Sequence, residues 1–174
     1  KNGVDIAQST VEEVQATYRF NDLTSFLAVY YPAMDVLQDE DDFHDLAAAY
    51  FERARANGVV RAECFFDPQA HTSRGIAIEA VIRGYHRAVV EAREAGLSAD
   101  LILCFLRDMS AQSALETLQA ALPYKDMFIG VGLDSDERDN PPTKFADVFA
   151  LAREAGLHVT MHCDIDQVGS IDNI

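Results

Sequence analysis

Strand and helix patterns alternate strictly along the sequence from Val59 onward, and this alternation constrains the fold more than any other feature. Short apolar runs with the composition of buried strands are separated by polar turns and amphipathic stretches. The predicted strands cover 59–66, 101–106, 127–133 and 158–163. Alternation of this kind forms a parallel sheet with right-handed crossovers. We therefore predict an α/β protein, built either as an open doubly wound sheet or as a (β/α) barrel.

Length bears on the choice between these two architectures. A (β/α)8 barrel needs eight strands and about 250 residues, whereas the sequence has 174 residues and four predicted strands. Barrel sequence of this length is expected to be a portion of the protein. Residues 1–56 have helical patterns, with helix starts at Ser9-Thr10, Asn21-Asp22 and Asp39. We predict one domain, with a helical segment or lid over 1–56 and β/α repeats over 57–174.

The charge balance bears on the partners. The sequence has 14 basic and 29 acidic residues and a formal net charge of −15. Such a field repels phosphate backbones and anionic lipid, so we expect neither nucleic-acid nor membrane-surface binding. A neutral small molecule remains compatible with this charge. No apolar run reaches the ~18 residues of a membrane span, and the three cysteines are odd in number, so we expect a cytoplasmic protein with reduced thiols.

Each predicted strand ends in a polar residue, and parallel α/β proteins place ligands at this end of the sheet. Side-chain alternation also leaves Gly130 and Gly132 on the face that does not meet the helices, where they make room for a ligand. We therefore expect a site at this edge. The four strand-end residues are Asp67, Arg107, Asp134 and His162.

His162 is the sharpest candidate for a metal ligand. A neutral imidazole at a strand end, flanked by carboxylates, suits Zn²⁺ or a similar divalent metal. A lone histidine is more often structural, and the sequence has no His-x-His, Cys-x-x-Cys or His-Glu-x-x-His motif to support it. We also expect Glu63 and Arg107 to pair across neighbouring strands, and we interpret the three cysteines as packing residues.

Short motifs occur in a fixed order along the chain: Phe20-Asn21-Asp22-Leu23, Phe66-Asp67-Pro68-Gln69, Cys104-Phe105-Leu106-Arg107, Gly132-Leu133-Asp134-Ser135, Pro141-Pro142-Thr143 and Thr160-Met161-His162. Together they resemble the adenosine/adenine deaminases of the amidohydrolase superfamily. The similarity runs over essentially the whole sequence. The Asp67-Pro68-Gln69 form resembles the adenine deaminase branch more than the nucleoside deaminases.

The resemblance implies a zinc-dependent (β/α)8 TIM barrel that hydrolyses the 6-amino group of a purine to a 6-oxo purine and ammonia. It makes this chain a partial barrel, with strands two to five and their helices. It also implies Zn²⁺, or another divalent metal, held by His162. On the same basis, Gly132 and Asp134 line the purine pocket, and Asp67 helps to decide between a free base and a nucleoside.

The sequence departs from the family pattern in two ways. The His-x-His of strand one is expected before Lys1, and the later histidine and paired aspartates after Ile174, so we expect the fragment alone to be inactive. The family's His-Ala-Gly-Glu is also replaced by a run with Ile165 at the glutamate's place. Because attack on the ring carbon requires protonation of the neighbouring nitrogen, Asp166, or else Asp164, is expected to act as the proton shuttle.

Two alternatives to a deaminase remain. Ile165 is compatible with a non-catalytic purine-binding or scaffold relative of the same fold. An open-sheet binding module unrelated to deaminases would instead be a stable, metal-free monomer of this length. The sequence predicts no particular oligomeric state.

Overall fold

The structure is a computed structural model that describes residues 2–8, 10–163 and 169. The chain divides into two compact units, Lys1–Gln38 and Asp39–Ile174. Within the described residues, none of the helices combines the length and the apolar character that crossing a bilayer requires.

The first unit contains two helices, α1 (Val11–Ala16) and α2 (Leu23–Ala33), followed by a 3₁₀ turn over Met34–Val36. Thr10 and Asp22 cap the two helices, as the sequence predicts, and each forms a reciprocal capping box. No residue of either helix is buried. Local caps and a chain of aromatic contacts through Phe26 therefore hold this unit together.

The second unit opens with α3 (Glu40–Ala56), which Asp39 caps. Its first turn is acidic, and its last turn carries Arg53 and Arg55, so the charges complement the helix dipole. The chain then turns at Asn57-Gly58, where Gly58 adopts a positive φ of 79°. α3 buries Phe43 and Phe51 within this unit.

Strands and helices alternate through the rest of the second unit, which confirms the predicted pattern. The sheet has the order β1-β2-β3-β4, and every strand pair is parallel. The elements are β1 (Arg61–Phe66), α4 (Gln69–Thr72), α5 (Ile78–Glu94), β2 (Ser98–Leu106), α6 (Ala111–Ala121), β3 (Gly130–Asp134), α7 (Ala146–Glu154) and β4 (His158–Val159). Two 3₁₀ segments, Leu122–Met127 and Pro142–Phe145, precede β3 and α7.

The strand register separates the two faces of the sheet. Leu103, Phe105 and Leu133 are fully buried on one face. The other face forms an open cavity whose lining includes Phe65, Gly130 and Thr160. This matches the assignment of faces from the sequence.

The strand bounds differ from the prediction: β1 begins two residues later and β2 three residues earlier than predicted, and β3 and β4 differ as well. β3 begins at Gly130 rather than at Met127, because Met127 is the last residue of the 3₁₀ segment Leu122–Met127. β4 is two residues long, yet its hydrogen bonds to β3 continue, because the backbone N–H of Thr160 donates to Val131 (3.0 Å) and that of His162 to Leu133 (2.9 Å). The end of β4 therefore still follows the edge of β3.

The expected ion pair between Glu63 and Arg107 is wrong. The carboxylate of Glu63 accepts from the guanidinium of Arg61 at 2.6 Å. Arg107 lies 3.5 Å from the carboxylate of Glu137 instead. The reason is the strand alternation: Glu63 pairs with Asp100 on the cavity face, and Arg107 is an odd number of residues further along, so it points to the opposite side.

Candidate active site

Three side chains meet at the carboxyl end of the sheet. Asp67 follows β1, Cys104 lies in β2, and Asp134 is the last residue of β3. Parallel strands end at the same edge, and the register places Cys104 beside Gly132, two residues before Asp134. The ligand atoms of Asp67, Cys104 and Asp134 all lie within 4.8 Å of one another. We call these three residues the carboxyl cluster.

The environment of the carboxyl cluster raises the pKa of both of its aspartates. Burial raises the pKa of Asp67 well above its usual value, and the neighbouring charge and hydrogen bond of Asp134 raise it further. Burial also raises the pKa of Asp134, although hydrogen bonds from Cys104 and Asp67 and the charge of His162 oppose this shift. Burial and the neighbouring carboxyl group thus favour the protonated form of Asp67. The Oδ1 atom of Asp67 is buried and has no hydrogen-bond partner among the described residues.

Cys104 remains a thiol in this cluster. Burial raises its pKa well above the usual value, and the charges of Asp134 and Asp67 raise it further. The S–H group can therefore donate to Asp134. We interpreted this cysteine as a packing residue, and the structure shows that it also belongs to the cluster. Strand alternation could have placed Cys104 there, because Cys104 pairs with Gly132 and therefore lies on the same face of the sheet.

Gly132 makes space for the Cys104 thiol. A Cβ at this position would lie 2.8 Å from the Sγ atom of Cys104 and 3.5 Å from a methyl group of Thr160. The first distance is shorter than a normal non-bonded contact, so a larger residue would displace the thiol. Gly132 therefore packs directly against Cys104 of the carboxyl cluster.

His162 lies at the same edge, on the strand next to Asp134. The backbone N–H of His162 donates to the carbonyl of Leu133 (2.9 Å), and His162 is exposed. Its side chain is not among the three whose ligand atoms lie within 4.8 Å of one another. The predicted proton shuttles, Asp164 and Asp166, lie outside the described residues, as does Ile165.

Arg107, the fourth polar strand-end residue, does not join the cluster. It is fully buried on the other face of the sheet. Its Nε and Nη2 atoms donate to the carbonyl of Asn140 at 3.0 and 2.8 Å, and Nη1 donates to the carbonyl of His162 at 2.9 Å. The strand ends thus bring Asp67 and Asp134 together with Cys104, whereas His162 lies on the neighbouring segment outside this three-residue cluster and Arg107 does not belong to it.

Ser135 is a feature of this edge that the sequence did not predict. It follows β3 with a φ of 74°, a left-handed conformation that costs a non-glycine residue about 1–2 kcal/mol. It is buried, and its hydroxyl has no hydrogen-bond partner in the described part of the chain. Strained residues of this kind cluster at functional sites. A serine gives no sequence signal for this conformation, so only the structure reveals it.

The chemistry of these groups fits a divalent cation. An imidazole and carboxylates are ligands that zinc accepts. The buried Oδ1 atom of Asp67 is an acceptor without a partner among the described residues, and an acceptor of this kind costs free energy unless a ligand or proton satisfies it. His162 and the carboxyl cluster therefore suit a cation and a polar ligand at the same edge.

The fold and this edge define a parallel β/α protein with a metal-suited site at the carboxyl ends of its strands. The family model for adenosine deaminase matches residues 1–166. The chain belongs to the adenosine deaminase family, which confirms the resemblance inferred from the motifs.

Relatives of this chain include adenine deaminases. This chain is 55% identical over 163 residues to the adenine deaminase of Geotalea uraniireducens. The aligned region covers 93% of this chain and 46% of that protein. It matches the crystal structure of the adenine deaminase from Arthrobacter aurescens with a TM-score of 0.94 and 46% identity, over 98% of this chain and 53% of that one. The chain thus spans about half the length of these relatives, and the fold is a partial (β/α)8 TIM barrel, as predicted.

A further structural match concerns the metal. An amidohydrolase from Burkholderia ambifaria, solved with bound Zn, is 29% identical with a TM-score of 0.73, over 88% of this chain and 43% of that one. This neighbour and the three possible ligands of the carboxyl cluster suggest a metal cofactor for the family site.

Proposed function

We propose that the whole protein is a zinc-dependent deaminase that hydrolyses the 6-amino group of adenine, giving a 6-oxo purine and ammonia. One observation carries the proposal: in a chain 55% identical to an adenine deaminase, Asp67, Cys104 and Asp134 meet within 4.8 Å at the sheet edge that also bears His162. Adenosine and N6-substituted adenines are the competing substrates.

His162 is proposed as a metal ligand. When zinc is bound, it lowers the pKa of its water to about 7 and so supplies hydroxide at neutral pH. The role of this chain is to hold the imidazole at the edge of β3 through the backbone bond to Leu133 (2.9 Å). With the backbone fixed, the side chain remains free to bind the ion.

The carboxyl cluster is proposed to bind the purine, with Gly132, Asp134 and Asp67 as substrate-binding residues. We propose that Asp67 and Asp134 share one proton when the purine is bound, so that the pair offers both a donor and an acceptor, and adenine presents both kinds of group around its rings. In this arrangement the buried Oδ1 atom of Asp67 is the acceptor for an N–H group of the purine.

Asp67 is also proposed to favour a free base over a nucleoside. The imidazole ring of adenine carries an N–H group, whereas in adenosine the ribose replaces that hydrogen. A buried acceptor left without its donor costs about 1–3 kcal/mol, which penalises the nucleoside. The proposal therefore assigns adenine rather than adenosine as the preferred substrate.

Asp166, with Asp164 as the alternative, is proposed to protonate the purine ring. Nucleophilic attack on the amino-bearing carbon requires a proton on the neighbouring ring nitrogen. Both residues follow His162 on the sequence. Replacement of Asp166 by alanine in the active enzyme should abolish turnover if this residue is the shuttle.

The wider context is proposed from the charge and the family. A net charge of −15 disfavours nucleic acid and anionic membranes, so the proposed partner is a small purine, within cytoplasmic purine and nucleotide metabolism.

Residues 1–56 are proposed as a helical lid segment and 57–174 as the barrel repeats. The 174-residue chain alone is proposed to be inactive, because an open sheet edge and a single proposed histidine ligand make an incomplete site.

The test is the loss of the adenine ultraviolet band with the full-length, zinc-loaded protein. Adenine, adenosine and N6-substituted adenines are compared, and adenine is expected to have the highest kcat/KM. Asp67→Ala should lower kcat/KM for adenine about tenfold and raise kcat/KM for adenosine, because the variant no longer has a buried acceptor that the nucleoside leaves unpaired. The matched variant Asp67→Asn retains a donor and an acceptor and should keep the adenine preference. Absence of turnover with all three purines would reject the proposal.

A second candidate is a purine-binding protein without catalysis. The observation that favours it is Ile165, which stands where the family has its proton-shuttling glutamate. Titration calorimetry separates the two candidates. Adenine bound by the zinc-loaded protein with a measurable heat, and recovered unchanged after prolonged incubation, would identify the second candidate.

A further inference from the structure

The side chain of Arg107 links two segments that bear the proposed site. The residue follows β2, and its backbone N–H donates to the carbonyl of Asp134 (2.9 Å). It is fully buried, and the adjacent carboxylate of Glu137 is buried as well. A charged pair held out of water in this way is costly to desolvate, so its retention calls for a role that an apolar pair would not fill.

The donors of Arg107 divide between two carbonyl groups. Nε and Nη2 donate to Asn140 at 3.0 and 2.8 Å, and Nη1 donates to His162 at 2.9 Å. Asn140 lies in the turn that follows Asp134, whereas His162 lies at the end of the next strand. One guanidinium group thus ties the turn after the purine-pocket residues to the backbone of the proposed metal ligand.

Other bonds fix the same two segments. The side chain of Asn140 donates to the carbonyls of Asp136 and Arg138, at 3.1 and 2.9 Å, and closes the turn. Lys144 donates to the carbonyl of Arg107 at 2.9 Å and to the side chain of Asn140 at 2.8 Å. The turn is therefore a rigid unit that Arg107 can hold as a whole.

The backbone of His162 is held from both sides. Its N–H donates to Leu133, and its carbonyl accepts from Arg107, both at 2.9 Å. We propose that Arg107 is a positioning residue that sets the orientation of the His162 backbone, and with it the imidazole, relative to the Asp134 turn. This inference rests on the proposed function, because it takes His162 as a metal ligand.

A lysine cannot replace this arginine. The three bonds require a planar fork whose donors point in fixed directions, whereas a lysine carries a single ammonium group. Arg107→Lys keeps the positive charge near Glu137 but loses the simultaneous contacts with both segments. The control is Arg87→Lys, which makes the same chemical change on α5, where the arginine pairs with Glu40 and Asp41 at the surface.

The experiment measures metal binding by the full-length protein. Zinc affinity is determined by competition with a chromophoric chelator, and the cobalt-substituted protein gives a visible spectrum that reports ligand geometry. Arg107→Lys should bind zinc about tenfold or more weakly, shift the cobalt spectrum and raise the KM for adenine. Arg87→Lys should leave all three unchanged.

The His162→Ala variant distinguishes a failure of the positioning role of Arg107 from a failure of the proposed function. If this variant loses metal while Arg107→Lys has wild-type affinity and spectrum, the positioning role is overturned and the proposed function stands. If His162→Ala binds metal as tightly as the wild type, the assignment of the ligand fails, and the proposed function falls together with the inference.

A measurement on the wild-type protein covers the case in which Arg107→Lys does not fold. Removal of the metal by a chelator is followed by hydrogen exchange of peptides that cover residues 135–142 and 158–163. A shared tie through Arg107 predicts that exchange rises in both segments together. A rise confined to 158–163 would contradict it.

Discussion

At the scale of single residues, the carboxyl cluster depends on burial and on the proximity of like charges. Two carboxyl groups in hydrogen-bond contact cannot both ionise cheaply, so the pKa of Asp67 rises well above its usual value. The sequence predicted that Asp67, Asp134 and His162 lie at one edge, because strand ends coincide in parallel sheets. It could not predict the raised pKa of Asp67, which depends on distances between side chains.

The first prediction concerns the pH dependence of stability in the metal-free protein. The folded pKa of Asp67 lies above the unfolded value, so the native state binds more protons, and stability falls as pH rises from about 4 through the folded pKa. Asp67→Asn mimics the protonated form and should flatten this fall, so that the variant gains in melting temperature at pH 7 relative to the wild type. Calorimetry across this pH range, with metal removed, measures the effect.

The matched control for that prediction is Asp126→Asn, which makes the same chemical change at an exposed position. The melting temperature of the control should change with pH as that of the wild type does. If the melting temperature of Asp67→Asn also changed with pH in parallel with the wild type, the carboxyl group of Asp67 would ionise normally.

The second prediction concerns the fit between Gly132 and the Cys104 thiol. A Cβ at Gly132 would lie 2.8 Å from that sulfur, so Gly132→Ala should destabilise the protein by about 1–3 kcal/mol. Cys104→Ala removes the obstructing atom, and the double variant should therefore recover part of the loss. Urea denaturation of the two single variants and the double variant measures the coupling energy.

Gly130→Ala provides the contrast in that cycle. Its Cβ would lie 2.8 Å from the carbonyl of His158, which is backbone, so Cys104→Ala should give it no relief. If Cys104→Ala restored the stability of both glycine variants equally, the clash with the thiol would not be the cause of the destabilisation by Gly132→Ala.

At the scale of elements, capping residues predicted helix starts well, because they act within four residues of the chain. Thr10, Asp22 and Asp39 each cap a helix where the sequence placed its start. Strand ends were less predictable. Residues 127–129 have a strand composition, but the 3₁₀ segment Leu122–Met127 displaces the start of β3 to Gly130. That outcome depends on packing between elements rather than on local pattern.

The third prediction concerns the packing of α5 against α3. In an isolated helix, replacing glycine by alanine gains about 1 kcal/mol. At Gly84 a Cβ would instead overlap the carbonyl of Glu40 and lie 2.7 Å from the Cβ of Phe43. Gly84→Ala should therefore lower the melting temperature despite the better helix propensity. A rise in melting temperature would show that α3 and α5 can separate freely at this point.

At the scale of the whole molecule, a parallel sheet joined by helices was predictable from alternation, but the sequential order β1-β2-β3-β4 was not, because doubly wound sheets with the same alternation order their strands differently. The choice of a barrel rather than an open sheet was not, because four strands are compatible with both. That choice came from the ordered motifs and is confirmed by the match to the Arthrobacter aurescens adenine deaminase, with a TM-score of 0.94. The Asp164 and Asp166 assignment remains a prediction, since it falls on residues outside the described part.

The most direct test of the central claim is ammonia release from adenine by the full-length, zinc-loaded protein and by its His162→Ala variant. His86→Ala, which makes the same change on α5, is the control. The wild type and the control should release one ammonia for each 6-oxo purine formed, while His162→Ala should lose both bound zinc and turnover. Wild-type zinc content and turnover in His162→Ala would contradict the claim that this sheet edge holds the metal and the purine.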